Sequence, residues 1–382
     1  MLFRDLQKQY GVLKPQIDEA VLRVVSSAKY ISGPDIKELE KILAEYVGVK
    51  HCITCANGTD AISIAMRAWG IGKGDAVFVP DFTFFSSGEC PADEGATPIF
   101  VDVNKVTYNI DASKLEEAIK KVSSEGKYRA KAVVAVDLFG QPANYKEIKD
   151  ICDRYNLFLL EDGAQGFGGC INGKRACSFG DISTTSFFPA KPLGCYGDGG
   201  AIFTDNDEWA ELIRSICVHG KDTSNPQDPN AKYNNIRLGK NSRLDTIQAA
   251  ILIPKFKAFV DYELENINKV AGWYTEMLKD TELALPTIEE EYYSSWAQYT
   301  IQLPESIDRE ELQAKLKAEG IPTMVYYTKP MHLQEAFKNT ESSIADCPVT
   351  EQLCKTVLSL PLDPYKTKEE IEFVSAEIKK LL

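Results

Sequence analysis

The chain has 382 residues, with 43 Lys and Arg against 56 Asp and Glu and a formal net charge of −13. A hydrophobic share of 44% is too high for a disordered chain, and a pI near 5.0 offers no basic stripe for a nucleic-acid partner. No stretch reaches the roughly 18 uncharged apolar residues of a membrane span, and the charged opening Met-Leu-Phe-Arg-Asp-Leu-Gln-Lys is unlike a signal peptide, so the expectation is a cytoplasmic protein with no membrane partner.

In chain order, Ile36, Leu39, Ile42, Leu43 and Tyr46 recur at helical spacing and Gly48 stops the pattern. Residues 52–55 read as a short strand, followed by Asn57-Gly58-Thr59-Asp60 and an amphipathic helix through Ala61, Ile62, Ala65, Met66 and Trp69. Strands are predicted at 76–80, 97–103 and 132–137, and helices at 115–122 and 145–155. Residues 157–160 are an apolar run ending in Glu161-Asp162, the pattern of a strand buried on both faces. This alternation over about 250 residues implies an α/β fold, a mostly parallel sheet covered by helices, with ligands at the carboxyl ends of its strands.

Residues 222–235, with two prolines among Asn and Asp, read as an exposed loop. A long helical pattern then runs from Arg243 to about Lys279, interrupted at Pro254. It leads into a smaller α+β unit: a strand at 296–303, a helix at 308–319 with a capping box (Asp308, Glu311) and a terminal Gly320, a strand at 323–327, and a last helix opened by a second box, Thr367 and Glu370. The expected division is a large domain over 1–250 and a small one over 251–382.

Ten cysteines are scattered through the chain and read as reduced thiols acting as small hydrophobes. Only Cys52 and Cys55 have redox or metal spacing, and no second pair completes a zinc site. With three histidines in all, His51, His219 and His332, no metal is expected.

The densest candidate stretch is Ser186-Phe-Phe-Pro-Ala-Lys191-Pro-Leu-Gly194-Cys-Tyr-Gly197-Asp-Gly199-Gly200. The prolines restrict the backbone and the glycines let chain and ligand approach closely. A lysine there can lose its proton and bond an aldehyde, or it can brace a rigid turn or pair with an acid. Asp162, at the end of an apolar strand, suits the pyridinium nitrogen of pyridoxal phosphate, or else caps a helix starting near Gly163. Gln165, one turn on, can reach the phenolic oxygen of such a cofactor, or is a plain polar residue. Asn57-Gly58-Thr59 opens a helix and so aims free N–H groups at an anion, or is a cap with no ligand. Residues 82–85, Phe-Thr-Phe-Phe, offer an aromatic to a flat ring, or fill the core. No Gly-x-Gly-x-x-Gly follows the first strand and no Walker-type Gly-Lys-Ser/Thr is present, which disfavours dinucleotide and P-loop readings.

Taken in order, these segments resemble the DegT/StrS family of sugar-nucleotide aminotransferases, which are fold-type-I, aspartate aminotransferase-like enzymes. The resemblance runs nearly end to end: Ser32-Gly-Pro-Asp-Ile-Lys-Glu-Leu-Glu40, Ala56-Asn-Gly-Thr-Asp-Ala61, Leu138-Phe-Gly-Gln141, Glu161-Asp-Gly-Ala-Gln165, the Lys191 stretch, Gly239-Lys-Asn-Ser-Arg-Leu244 and Ser359-Leu-Pro-Leu362. It implies pyridoxal 5'-phosphate (PLP) cycling through pyridoxamine phosphate, L-glutamate as donor, and the ketone of a nucleotide-linked keto sugar as acceptor, in amino-sugar and cell-surface polysaccharide biosynthesis. It implies that Lys191 holds the cofactor and carries a proton, that Asp162 pairs with the ring nitrogen and Gln165 with the phenolic oxygen, and that Phe84 stacks on the ring. Gly58, Thr59 and Ser186 would bind the phosphate. Asn241 would reach the phosphate of a neighbouring subunit, making a homodimer with shared active sites.

Arg243, Tyr326 and Tyr327 are candidate substrate contacts, Arg243 for an anionic group of donor or acceptor or, alternatively, for a helix cap or a salt bridge. The Lys191 stretch, residues 241–252 and Ala297-Gln-Tyr-Thr are similar to members that aminate UDP-2-acetamido-2-deoxy-3-oxo-glucuronate at carbon 3. Tyr326-Tyr327 stands where those tend to carry His-Tyr, and the 222–235 loop is longer, so amination at C3 or C4 of another UDP-, dTDP- or GDP-linked keto-deoxysugar is the alternative. Family dehydratases carry histidine in place of the lysine, and a non-catalytic regulator would be expected to lose Lys191, Asp162 or Gln165; all three are present.

Overall fold

A computed structural model describes residues 1–223 and 234–382. The first strands are β1 (His51–Cys55), β2 (Asp75–Pro80), β3 (Thr97–Val101), β4 (Arg129–Val136) and β5 (Phe158–Asp162). A small hairpin follows, β6 (Cys170–Ile171) and β7 (Lys174–Arg175), and then β8 (Ile182–Ser186) and β9 (Gly200–Thr204). The central sheet has the order β1-β9-β8-β5-β4-β2-β3. Neighbours from β8 through β3 pair in parallel, and β9 runs antiparallel to both β1 and β8. Strand β2 is buried along its whole length, as a sheet covered on both faces requires. The mostly parallel α/β class expected from the alternation is the class the chain adopts.

The local chemistry explains the helices nearest the site. Pro34 opens the helix Pro34–Val47 and Gly48, at φ 85°, closes it. The helix Gly58–Ala68 is capped by Asn57, whose side chain accepts the Asp60 N–H at 2.7 Å. The smaller sheets pair β10 (Tyr292–Tyr293) with β6, and β11 (Tyr299–Gln302) with β12 (Val357–Leu360).

Several expectations need correction. Residues 323–327 form no strand; only Met324 bridges, to Ser359. The predicted 296–303 strand shrinks to β11. Pro254 lies inside the helix Thr246–Ala258, and the irregularity comes after it, as a π turn at Phe259–Glu263 leading into Leu264–Leu278. Asp308 caps its helix by accepting the Glu311 N–H at 3.0 Å, but Glu311 pairs with Lys315 at 2.7 Å instead of completing the box. The box at Thr367 and Glu370 is complete. Most of the 222–235 loop, residues 224–233, lies outside the described residues.

The N-terminus packs on the end of the chain. The N–H of Leu362 donates to the Phe3 carbonyl at 3.0 Å, Lys366 Nζ to that of Leu2 at 2.9 Å, and the Asp5 N–H to Asp363 Oδ2 at 3.1 Å. The helix Leu6–Ser27 then lays Leu13 and Ile17 against Ile251 and Ala258.

Buried beside this helix, Lys255 is 2% exposed with its ammonium 4.7 Å from the Tyr196 ring centre. Burial lowers its pKa from 10.5 to about 8, with Glu263 pulling the other way. The unfolded chain therefore takes up this proton first as pH falls, so stability is lost between 10.5 and 8 and stays lost below. Lys255→Met is expected to stabilise the fold at pH 7 by on the order of 3 kcal/mol. Urea melts should show that gain fading as pH rises from about 8 and gone by 10.5.

Candidate active site

Strand β5 ends in two buried carboxylates with different duties. Glu161 accepts from the N–H groups of Cys177, Phe179 (2.7 Å) and Gly180 (3.2 Å) and from Ser183 Oγ (2.8 Å), which fastens the following loop. Among the described residues, the Asp162 carboxylate accepts only from Ser87 Oγ at 2.8 Å and the Ala164 N–H at 3.2 Å. An ionised carboxylate has about four acceptor positions, so Asp162 keeps capacity for another donor. Burial pushes its pKa up, while the Ser87 hydroxyl and the charge of Lys191 draw it back. No helix follows; residues 164–168 are turns, so Asp162 is not a helix cap.

Gln165 is buried, and its Oε1 accepts the Phe139 N–H at 2.9 Å. Its Nε2 donates to Tyr327 Oη at 3.0 Å, joining positions 162 residues apart. The Tyr327 ring lies 5.9 Å from Phe82, 5.9 Å from Tyr326 and 6.5 Å from Phe84. Burial raises the Tyr327 phenol's pKa, with Gln165 opposing.

Lys191 sits on the loop between β8 and β9. Ser186 and Gly200 are partners at its neck, and the Phe187 N–H donates to the Gly199 carbonyl (2.8 Å), that of Cys195 to Phe187 (2.7 Å) and that of Lys191 to Phe188 (2.8 Å). A Cβ on Gly194 would stand 2.5 Å from the Pro189 carbonyl, so only glycine lets the loop fold back. The partly buried Lys191 ammonium makes no hydrogen bond or ion pair with any described residue. Desolvation lowers its pKa, with Asp162 opposing and Arg4 adding to the fall. An unpartnered amine in that state suits bonding to an aldehyde.

The start of the Gly58–Ala68 helix lies against this loop. A Cβ on Gly58 would come within 2.7 Å of Ser186 Cβ, and one on Gly200 within 2.6 Å of the Asn57 backbone. Thr59 Oγ1 is 2.8 Å from Ser86 Oγ. Hydroxyls thus flank free N–H groups at a helix N-terminus, which suits a phosphate. The chain's residues therefore fit PLP at each of its polar groups. Gly58→Ala forces Ser186 aside and is expected to weaken cofactor binding by about tenfold or more, read by titrating cofactor-free protein with PLP.

Asn241 and Arg243 do not join this group within one chain. Asn241 is exposed and accepts from Arg243 Nη2 at 2.6 Å, and Arg243 Nε is buried without a partner among the described residues. Arg243 is therefore tied to Asn241 and is not a helix cap. Phe84 is 53% exposed. Cys52 and Cys55 are buried free thiols whose pKa burial pushes well up, which makes them poor nucleophiles. His51 faces Asp207 at 2.7 Å.

Ser86 and Ser87 were not anticipated; a Ser-Ser pair opening a helix just past a strand end was the available signal. Nor was the buried group Asp81, His332 and Cys347, whose metal-ligating atoms lie within 4.8 Å of one another. Asp81 accepts the His332 N–H at 2.8 Å and faces its Nδ1 at 2.7 Å, tying the loop that carries Phe82 and Phe84 to the segment that carries Tyr327.

The profile of the DegT/DnrJ/EryC1/StrS aminotransferase family matches residues 12–379. The chain is 43% identical, over 98% of its length and 99% of the relative's, to a UDP-2-acetamido-2-deoxy-3-oxo-D-glucuronate aminotransferase of Pseudomonas aeruginosa. It is 42% identical, over 98% of its length and 96% of the relative's, to a pleiotropic regulatory protein of Geobacillus stearothermophilus. A solved DegT DnrJ EryC1 StrS aminotransferase from Brucella abortus superposes with a TM-score of 0.94 at 44% identity, covering 100% of this chain and 99% of that one. A family match over almost the whole chain, together with relatives matched end to end, makes the protein a member of the DegT/DnrJ/EryC1/StrS aminotransferase family and a PLP-dependent sugar aminotransferase.

Proposed function

We propose that the chain transfers the amino group of L-glutamate to carbon 3 of UDP-2-acetamido-2-deoxy-3-oxo-glucuronate, as a cytoplasmic homodimer with shared active sites. The observation that carries the chemistry is the unpartnered, desolvated Lys191 amine within electrostatic reach of the buried Asp162. The choice of sugar is supported by the Pseudomonas relative, named for that substrate and matched along nearly its whole length.

When bound, PLP supplies an electron sink for negative charge developing on the substrate carbon. Lys191 holds the cofactor and, once released, moves the proton at Nζ, its lowered pKa keeping more of the amine uncharged at neutral pH. Asp162 keeps the ring nitrogen protonated. Gln165, with one amide hydrogen left after bonding Tyr327, donates to the phenolic oxygen. Gly58, Thr59 and Ser186, joined by Ser86, bind the phosphate, and Phe84 covers the ring.

Dimerisation is supported by apolar surface on Phe84, Phe188 and Leu238, 53%, 51% and 90% exposed in the single chain, and by the exposure of Asn241. Ten free cysteines suit a reducing compartment. We read residues 1–250 as the cofactor-binding domain and 251–382 as the small one.

The test loads the protein with pyridoxamine phosphate and offers a panel of UDP-, dTDP- and GDP-linked keto sugars. Return of the yellow aldehyde form is expected fastest with the 3-oxo-glucuronate; a faster 4-keto sugar overturns the assignment. A regulatory role has the name of the Geobacillus relative behind it, and absence of turnover across the whole panel would favour it.

A further inference from the structure

The first residues of the chain end up beside the site. The Phe3 ring lies 6.4 Å from that of Tyr326, the neighbour of Tyr327. On the other side, the Asp5 N–H is bonded to Asp363, and Asp5 Oδ1 caps the next helix by accepting the Lys8 N–H at 2.8 Å. Arg4 is pinned between these anchors and partly buried. Its charge is felt by Lys191, and its own pKa is lowered by desolvation and raised by Asp363, Glu263 and Tyr326.

The guanidinium nevertheless makes no hydrogen bond and no ion pair with any described residue. Its acidic neighbours are engaged elsewhere. Glu263 accepts from Gln9 Nε2 at 2.9 Å and Tyr365 Oη at 2.5 Å. Asp363 takes the Asp5 and Tyr365 N–H groups, the latter at 2.9 Å, and lies 3.4 Å from Lys366 Nζ. Arg4 is only partly buried and none of its nitrogens is sealed away, so the five donors of its guanidinium stay open to an incoming acceptor. A second cation within electrostatic reach of Lys191, on a segment that packs against Tyr326, does nothing to hold that lysine in place, but it does suit an anion brought to the reacting carbon. The planar fork of a guanidinium matches a carboxylate with two parallel bonds. Arg243, the other candidate for an anionic group, already spends Nη2 on Asn241.

We infer that Arg4 binds the substrate carboxylate: that of the amino-acid donor, that at carbon 6 of the uronate acceptor, or each in turn as the two alternate in one site. This rests on the transamination reading above and adds a residue that decides which substrates saturate the site.

The test compares wild type with Arg4→Met and Arg4→Lys. Three probes are used on cofactor-loaded protein: L-glutamate, the 3-oxo-glucuronate, and the matching acceptor with an uncharged hydroxymethyl at carbon 6. Arg4→Met should raise the half-saturating concentration of a carboxylate partner about tenfold to a hundredfold, with maximal rate within about threefold, and leave the hydroxymethyl acceptor unchanged. A rise for glutamate alone assigns the donor carboxylate, for the uronate alone the acceptor's, and for both a shared site; Arg4→Lys should recover part of each. Half-saturation equal to wild type for both partners overturns the inference. Calorimetric binding of glutarate, a dicarboxylate without the amine, gives a reading that needs no turnover. Equal affinity in wild type and Arg4→Met overturns the Arg4 role, whereas a wild type that binds glutarate but never turns over overturns the proposed function instead. If Arg4→Met does not fold, Arg4→Gln takes its place.

Discussion

Lys191→Ala is expected to cut steady-state turnover at least about a thousandfold while leaving thermal stability unchanged or slightly raised. The two halves of this expectation have separate causes. The ammonium has no hydrogen bond or ion pair with any described residue to lose, so truncation leaves none of them with an unpaired group. Its lowered pKa means the fold disfavours the charge, which alanine removes. The loop is held by the backbone bonds of Phe187, Lys191 and Cys195, all of which alanine keeps. What disappears is the amine itself, the only group proposed to hold the cofactor and move the proton. A glutamate-dependent assay and a melt of the same preparation decide it. Turnover within tenfold of wild type removes Lys191 from that role, and collapse of the fold would make the lysine structural. In wild type, the donor half-reaction should speed up as pH rises and Nζ loses its proton, below the 10.5 of an ordinary lysine.

The parts of the site that were legible in the sequence are those whose local chemistry is unusual by itself. Lys191 stands between two prolines with glycines after it, and Asp162 ends an apolar run; each announces a strand end or a constrained loop without help from distant residues. The hidden parts depend on partners far along the chain. The bond from Gln165 to Tyr327 spans 162 residues. The run Thr-Met-Val-Tyr-Tyr at 323–327 has strand composition, yet it is drawn toward the site and bridges the sheet only at Met324, a case of tertiary context overriding propensity. Ser86 and Ser87 lie on the helix Ser86–Asp93, masked by Gly88 and Pro91. The first helix, Leu6–Ser27, contains Gly11 and Pro15, residues of low helix propensity, and its apolar stripe gains meaning only against Ile251 and Ala258. Arg4 gave no signal at all: an arginine near a terminus looks like a solvated charge until Asp363 and Tyr326 fix the residues on either side of it.

Asp162→Asn isolates the charge from the shape of that side chain. Asparagine fills the same space and can still accept the Ala164 N–H, and the Ser87 hydroxyl can turn from donor to acceptor. Since burial already pushes the carboxyl pKa upward, losing the charge relieves desolvation, and the fold should be no less stable. Catalysis should nevertheless fall by about a hundredfold to a thousandfold, the usual cost of removing a preorganised charge from where charge develops. The lysine responds as well. Asp162 is what holds the Lys191 pKa up against desolvation, so in the variant the amine should lose its proton at a lower pH, and the rise in donor half-reaction rate should shift toward acid. The loss of rate tests the proposed pairing with the ring nitrogen, and the shift in pH profile tests the coupling to Lys191. A variant with wild-type rate would sink the first; an unmoved profile would sink the second, even if the rate fell as expected.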